Sequence, residues 1–345
     1  MPVQSKLLEL PDVAMCNVMK FLDYQAIHRL RKTCHDLRNF IDDVKADINV
    51  RSVQIVVDQD SIFLDFGAKL EDRDHYKTAV QYSSVPEGCS VKKIGGPQRI
   101  ILNEDYCKMF LQDFKVLVGF WRNQKYEDVM FSFNVKNRND EGDFLTERIK
   151  EILESGSPIN LGELYLTGCN NALLMAIFPY FASKSLDFHV GGSLRNGMDM
   201  AGISATELWK SVTSVFLSNT TLTIPIERFS HIQMMNIEVE TITKEEILAW
   251  KQLYFTSPAI HMILIEWSHP IENDRDLISA LGPNPNLNDS GSDYSGADHI
   301  NWFFRSNNAE KLWHIMYSKS SILFGLMEDG MFSEDAVINE DVVVR

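Results

Sequence analysis

The 345-residue chain is long enough for two or three domains, and its 45% hydrophobic and 23% charged residues are those of a globular protein, which excludes wholesale disorder, a collagen-like repeat or a long coiled coil. A net charge of −15 would repel a polyphosphate backbone, and no basic patch stands out to relieve it, so a nucleic-acid partner is not expected.

Leu10-Pro11-Asp12 reads as a helix start, because proline at the first helical position lacks only an N–H that would be orphaned anyway and Asp12 suits the positive end of the dipole. The helix is expected to run to about Leu22. Val13, Ala14, Met15, Cys16, Val18, Met19, Phe21 and Leu22 cover more than one of its faces, which implies two buried faces. Asp23 is the expected N-cap of a second helix with Ile27, Leu30 and Arg31; a third carries Cys34, Leu37, Phe40 and Ile41 at helical spacing. Three such short helices cannot enclose a core alone and should need a partner.

The run LELPDVAMCNVMKFLDYQAIHRLRKTCHDLRNFIDD resembles an F-box over residues 7–44, and LRKTCHDLRNFIDD is especially similar to the nematode F-box proteins that carry an FTH domain. The resemblance implies docking on a Skp-type adaptor and, through it, on the cullin and RING subunits of an SCF ubiquitin ligase. Leu10, Pro11, Val18, Met19, Leu22, Ile27, Leu30, Cys34 and Leu37 fall where the family presents apolar residues either to the adaptor or to its own small core. Sequence alone does not divide these two roles. Thr33 departs from the valine frequent in the family, and the tryptophan common after this point is missing.

From Val53 the pattern alternates. Val53/Ile55/Val57, Ile62/Leu64/Phe66 and Thr78/Val80/Tyr82 predict strands, with Asp58-Gln59-Asp60 as a turn between the first two and Gly95-Gly96-Pro97 as another turn. A helix is predicted from about Glu104 to Arg122, with Asn103 as N-cap and Tyr106, Phe110, Phe114, Leu117 and Trp121 as a core-facing stripe.

Beyond Tyr126 a strand-then-helix unit recurs at about 20–35 residues, most clearly at Leu161, Leu164, Leu166, Cys169 and Asn170, which fit the leucine-rich-repeat template LxxLxLxxN/C. Weaker copies are Tyr126/Val129/Phe131/Asn134, Leu186/Phe188, Val212/Val215/Leu217, Met234/Ile237/Val239 and Ile260/Ile263/Ile265. Helices are expected at Thr146–Leu153, Ala172–Phe181, Ser204–Lys210 and Thr243–Leu253, the last with capping-box spacing. An ordinary α/β sheet would give the same alternation. Ile300–Phe304, Leu312–Tyr317 and Ile322–Leu326 read as closing strands. The FTH resemblance, including the block WFFRS…LWHIMYS…ILFGL, spans roughly residues 50–328.

The expected fold class is therefore α/β, α+β at the N-terminus. A three-helix F-box module at 1–48 is followed over 49–328 by a degenerate leucine-rich-repeat-like strand/helix solenoid with a terminal antiparallel β cap, an exposed loop at 282–298 and a solvated acidic tail at 329–345.

The motifs of catalysis are missing. His261, Glu266 and His269 lack HExxH spacing, the paired glycines lack a GxGxxG or P-loop setting, and no GxSxG elbow occurs. Cys16, Cys34, Cys89, Cys107 and Cys169 are dispersed, odd in number and without a CxxC pair, as for reduced, mostly buried thiols. No metal, cofactor or catalytic residue is expected. No apolar run approaches the ~18 residues of a membrane helix, and MPVQSKLLELPDV lacks the pattern of a secretory signal, so an intracellular protein, cytoplasmic or nuclear, without a membrane partner is expected.

These readings together give a non-catalytic substrate receptor of a ubiquitin ligase, with a module that only sequesters a partner as the alternative. In the repeat register, Asp128, Met130, Glu163, Tyr165, Asp187, His189, Phe216, Asn236, Glu238, Glu240, Leu264 and Glu266 line one face. Their mixture of carboxylates and apolar groups points to a target protein with a basic, partly apolar surface.

Overall fold

The three expected helices are present as α1 (Asp12–Lys20), α2 (Tyr24–Arg31) and α3 (His35–Val44), with three corrections: Pro11 is the N-cap rather than the first helical residue, α1 ends at Lys20 rather than Leu22, and Cys34 precedes α3. The computed structural model describes residues 6–22, 24–44, 50–67, 79–122, 129–136, 142–191, 200–218, 225–269, 271, 274–283, 286–288, 299–305, 311–328 and 338–339; the cap expected at Asp23 lies outside them. The chain divides into two units, Met1–Lys184 and Ser185–Arg345.

In the first unit, the helices bury Met15, Met19, Tyr24, Ile27, Leu37 and Ile41. The Arg31 guanidinium holds α2 against α3 through two parallel bonds to Asp42, Nε to Oδ1 at 2.6 Å and Nη2 to Oδ2 at 2.9 Å. There follow β1 (Ser52–Asp58), β2 (Ser61–Gly67), β3 (Val80–Val85), β4 (Gly88–Lys93) and β5 (Gln98–Leu102), an antiparallel meander in that order. Thr78, expected in β3, lies outside the described residues. β4 and β5 escape the sequence reading because they carry few buried apolar residues; in β5 no residue is fully buried.

α4 (Tyr106–Trp121) buries its whole predicted stripe. Its cap is Asp105 rather than Asn103. The Asp105 carboxylate accepts the Lys108 N–H at 2.8 Å, whereas Asn103 takes a left-handed φ of 58° and donates its N–H to the Glu87 carbonyl, closing the β4–β5 pair.

β6 (Met130–Val135), α5 (Gly142–Glu154), β7 (Ile159–Asn160), β8 (Glu163–Thr167), α6 (Asn171–Ile177) and β9 (Phe181–Ala182) complete the unit. β6 pairs parallel with both β1 and β8, aligning Val53, Phe131 and Leu164 in one row and Ile55, Phe133 and Leu166 in the next, all buried. Gly168 has a φ of 64°, and a Cβ there would strike the Val135 carbonyl oxygen, so only glycine lets β8 turn towards α6. Asn170 then caps α6 by accepting the Leu173 N–H at 2.8 Å. The single helix expected over Ala172–Phe181 stops at Ile177. Pro179 forces a 3-10 turn at Phe178–Tyr180, and Phe181 enters β9.

The second unit contains β10 (Leu186–Gly191), α7 (Met200–Ser204), β11 (Val212–Leu217), β12 (Met234–Val239), α8 (Lys244–Thr256), β13 (Met262–Trp267), α9 (Asp274–Leu281), β14 (Asn286–Asn288), β15 (His299–Arg305), β16 (Lys311–Tyr317), β17 (Ser321–Glu328) and β18 (Ile338–Asn339). β10 to β13 are parallel neighbours; β17, β16, β15 and β14 extend the sheet antiparallel from β13. The three closing strands are thus present as expected. The capping box at α8 is formed, with Thr243 accepting from Glu246 N–H and the Glu246 carboxylate accepting from Thr243 N–H.

Four expectations need correction here. The helix over Ser204–Lys210 is replaced by α7 and a separate 3-10 turn at Leu208–Ser211, because the hydroxyls of Ser204, Thr206 and Ser211 each bond back to a carbonyl three residues earlier. In β12 the buried residues are Met235, Ile237 and Val239, and Met234 points to the other face. Within the expected loop 282–298, Asn286–Asn288 pair with β15. Within the expected solvated tail, Ile338–Asn339 also pair with β15; Asn339 is buried and its Nδ2 donates to the Phe303 carbonyl at 3.1 Å. No helix among the described residues is long and apolar enough to cross a membrane.

Candidate functional site

The nine apolar positions of the N-terminal module separate by burial. Met19, Ile27 and Leu37 are buried within the chain; Val18, Leu22, Leu30 and Cys34 are half-buried; Leu10 and Pro11 are exposed. Outside those nine positions, Val13 at 75% and Phe21 at 89% are the most exposed large apolar groups of the module among the described residues. Val13 in the first turn of α1 and Phe21 at its C-cap are eight residues apart, with Asn17 between them at the same spacing of four. Leaving Phe21 in water forgoes roughly 1.5–3 kcal/mol of burial. The signal was present in the two-faced pattern of α1.

Through α2 the module rests on the sheet of its own unit. The Tyr24 ring meets Phe66 of β2 edge-on with centroids 4.5 Å apart, and Phe120 of α4 at 6.3 Å. Asp113 of α4 accepts the Tyr82 hydroxyl at 2.7 Å and lies 3.9 Å from His28 Nε2. Burial, with Lys32 nearby, holds the His28 imidazole below its ordinary pKa despite Asp113, so this contact is not an ion pair at neutral pH; its Nδ1 is buried without a partner. Burial also pushes the phenols of Tyr24 and Tyr82 upwards. The need of these helices for a partner is thus met in part by the chain itself; among the described residues, the large apolar groups it leaves exposed on the module are Leu10, Val13 and Phe21.

The row of candidate target contacts falls on both units. In the first, Met130 aligns with Glu163 and Ser132 with Tyr165, whose hydroxyl donates to Glu163 Oε2 at 2.8 Å; Asp128 lies outside the described residues. In the second, His189, Phe216, Asn236 and Leu264 are successive neighbours across β10 to β13, and Leu323 of β17 continues the row. The His189 and Phe216 rings stack at 4.2 Å, and half-burial lowers the His189 pKa. Glu238 and Glu266 lie side by side, with Glu240 just past the end of β12. Asp187 begins a second row through Ser214, Met234 and Met262, the last three missed because the sequence register placed Met234 in the core. All of these residues are half-buried or exposed, while the alternate positions, such as Phe188, Val215, Ile237 and Ile263, are buried.

Among the described residues there is no group of three or more His, Cys, Asp or Glu able to hold a metal ion. His269 Nδ1 lies 3.2 Å from the Glu240 carbonyl, an ordinary structural contact. Burial raises the Cys169 thiol to about 12, which leaves it a packed side chain rather than a nucleophile.

The F-box domain model matches residues 7–49, and the FTH domain model matches residues 143–284. F-box A protein 224 of Caenorhabditis elegans is 22% identical over 346 residues, covering 96% of this chain and 82% of that protein. No solved structure matches the chain.

Proposed function

We propose that this chain, which carries an F-box and an FTH domain, is the substrate-recognition subunit of an SCF-type ubiquitin ligase. The exposed Val13 and Phe21, together with the exposed Leu10 and Pro11 at the start of α1, carry the reading: they lie inside the F-box match and are left in water by the described residues. A Skp-type adaptor covers them and links the chain to cullin and RING subunits. Met19, Ile27 and Leu37 serve the module's own core; Val18, Leu22, Leu30 and Cys34 flank the contact.

The remainder of the chain holds the target. We read its parallel strands as a degenerate leucine-rich-repeat-like stack, supported by burial of Leu161, Leu164, Leu166 and Cys169 and by the residue-for-residue alignment of neighbouring strands. Glu238 and Glu266 are adjacent like charges, an arrangement that is mildly unfavourable by itself and is relieved by a cation. A target with basic groups over an apolar centre fits the acids beside Phe216, Leu264 and Leu323. The chain's contribution to ubiquitin transfer is proximity: tethering makes the reaction effectively intramolecular, without proton donors from this protein.

The test is co-purification of the full chain with a Skp-type adaptor. The wild type is expected to retain the adaptor and Leu10→Ala/Pro11→Ala to lose it; equal recovery would refute this docking surface.

A further inference from the structure

Residues 50–142 lie outside both family matches, and within them β5 forms one end of its sheet, paired with β4 alone among the described residues. The bond from Asn103 N–H to the Glu87 carbonyl sets the phase of this antiparallel pair. Cys89/Ile101 and Val91/Arg99 therefore exchange the ladder bonds, and the backbone N–H and C=O groups of Gln98, Ile100 and Leu102 point outwards from the edge. The same residues display aliphatic side chains in water: Ile100 is 53% exposed and Leu102 66%, on the face opposite buried Cys89. Edge strands are usually protected by a charge, proline or bulge at such positions. Among the described residues no strand covers the outward edge of β5; Pro97 precedes it and its one charge is Arg99, so at its outward-pointing positions the edge presents Gln98, Ile100 and Leu102.

Charge decides what fits there. At the Gln98 end of the strand the exposed cations are Arg99, on the face opposite Ile100 and Leu102, and Lys92, paired with Gln98 on the same face as them, whereas Glu87 lies at the Leu102 end. A second copy pairing antiparallel about Ile100 would gather two Arg99 and two Lys92 side chains at one seam between two acidic bodies. An extended segment alternating carboxylates with β-branched residues would satisfy the edge bonds, cover Ile100 and Leu102 with its aliphatic side chains and turn its carboxylates towards Arg99 on the other face. We propose that β5 is a strand-addition site for an extended, acidic, aliphatic segment of a partner protein. The site is separate from the acidic face assigned above to the target, and selects the opposite charge.

The test uses the full chain and a fluorescent synthetic peptide of alternating glutamate and valine, read by anisotropy, with a lysine–valine peptide as the counter-probe. Ile100→Pro removes an outward N–H that makes no ladder bond; Arg99→Glu reverses the charge and leaves the edge open. The wild type should bind the glutamate peptide in preference to the lysine peptide. Each variant should weaken glutamate-peptide binding about tenfold or more, and Arg99→Glu should favour the lysine peptide. Absence of binding by the wild type, equal binding of the two peptides, or unchanged affinity in Arg99→Glu overturns the proposal. A concentration-dependent dimer that Ile100→Pro dissolves would also overturn it, by making a second copy the occupant.

Discussion

The Tyr24 ring lies edge-on against Phe66, with centroids 4.5 Å apart and planes inclined at 77°, so the second F-box helix is seated on the second strand of the adjoining sheet. The module is therefore built onto its neighbour rather than hung from a linker. Removing this ring leaves a cavity between Phe66, Phe120 and His28. Tyr24→Ala is expected to cost about 3–5 kcal/mol, measured by urea unfolding of the first unit's fluorescence signal in the full chain. A loss below about 1 kcal/mol would mean the contact is not maintained in solution.

Thiol accessibility follows burial. Cys16 on α1 and Cys34 between α2 and α3 are half-buried, whereas Cys89, Cys107 and Cys169 are buried. Maleimide labelling of the native chain, followed by peptide mass spectrometry, should modify Cys16 and Cys34 first and the other three only in denaturant. Bound adaptor should slow Cys34, which flanks the proposed contact. Early modification of Cys169 would contradict the packing of the β8–α6 turn.

Acid should weaken the second unit through His314. Burial lowers its pKa from 6.5 to about 4, its ring stacks on Phe303 and its Nε2 lies 2.8 Å from Asn301 Oδ1. The unfolded chain takes up a proton below pH 6.5 that the folded chain refuses until about pH 4. Stability is therefore full above pH 6.5 and declines between those values by about 3 kcal/mol. His314→Gln keeps a donor for Asn301 and does not titrate, so thermal unfolding of the variant between pH 7 and 4.5 should depend less on pH than that of the wild type. Parallel pH profiles would remove His314 from the account.

Charge reversal tests the acidic face. Glu163→Lys/Glu238→Lys/Glu240→Lys changes residues that are half-buried or exposed, so folding should persist, read by circular dichroism. Capture of cellular partners by this variant, quantified by mass spectrometry against wild type at low salt, should lose the basic proteins that the wild type retains. An identical partner list would show that these carboxylates only solubilise the chain.

Much of this was legible in the sequence because strong periodicity marks elements that bury a whole face. α1 to α4, the buried rows Val53/Ile55 and Leu164/Leu166, and the closing strands β15 to β17 were all found that way. Elements with little buried surface were not, as β4 and β5 show. Met234 misled the register because two consecutive methionines fit either face, and only alignment with Ser214 and Met262 separates them. Pro179 and the hydroxyls at Ser204 and Thr206 end helices that apolar spacing alone extends. β14 and β18 were hidden in polar stretches whose order comes from pairing with a distant strand. At the candidate site, sequence named the apolar positions of the module; dividing them between core and surface required the packing of Tyr24, His28 and Asp113.

The central claim is that the Val13/Phe21 side of α1 is the seat of a Skp-type adaptor. Isothermal titration of purified adaptor into the full chain tests it most directly, comparing wild type with Val13→Asp and Phe21→Asp, neither of which disturbs a buried residue. The account predicts tight binding by the wild type and a loss of about 10- to 100-fold in each variant. Wild type that does not bind, or variants that bind as well as wild type, would contradict it.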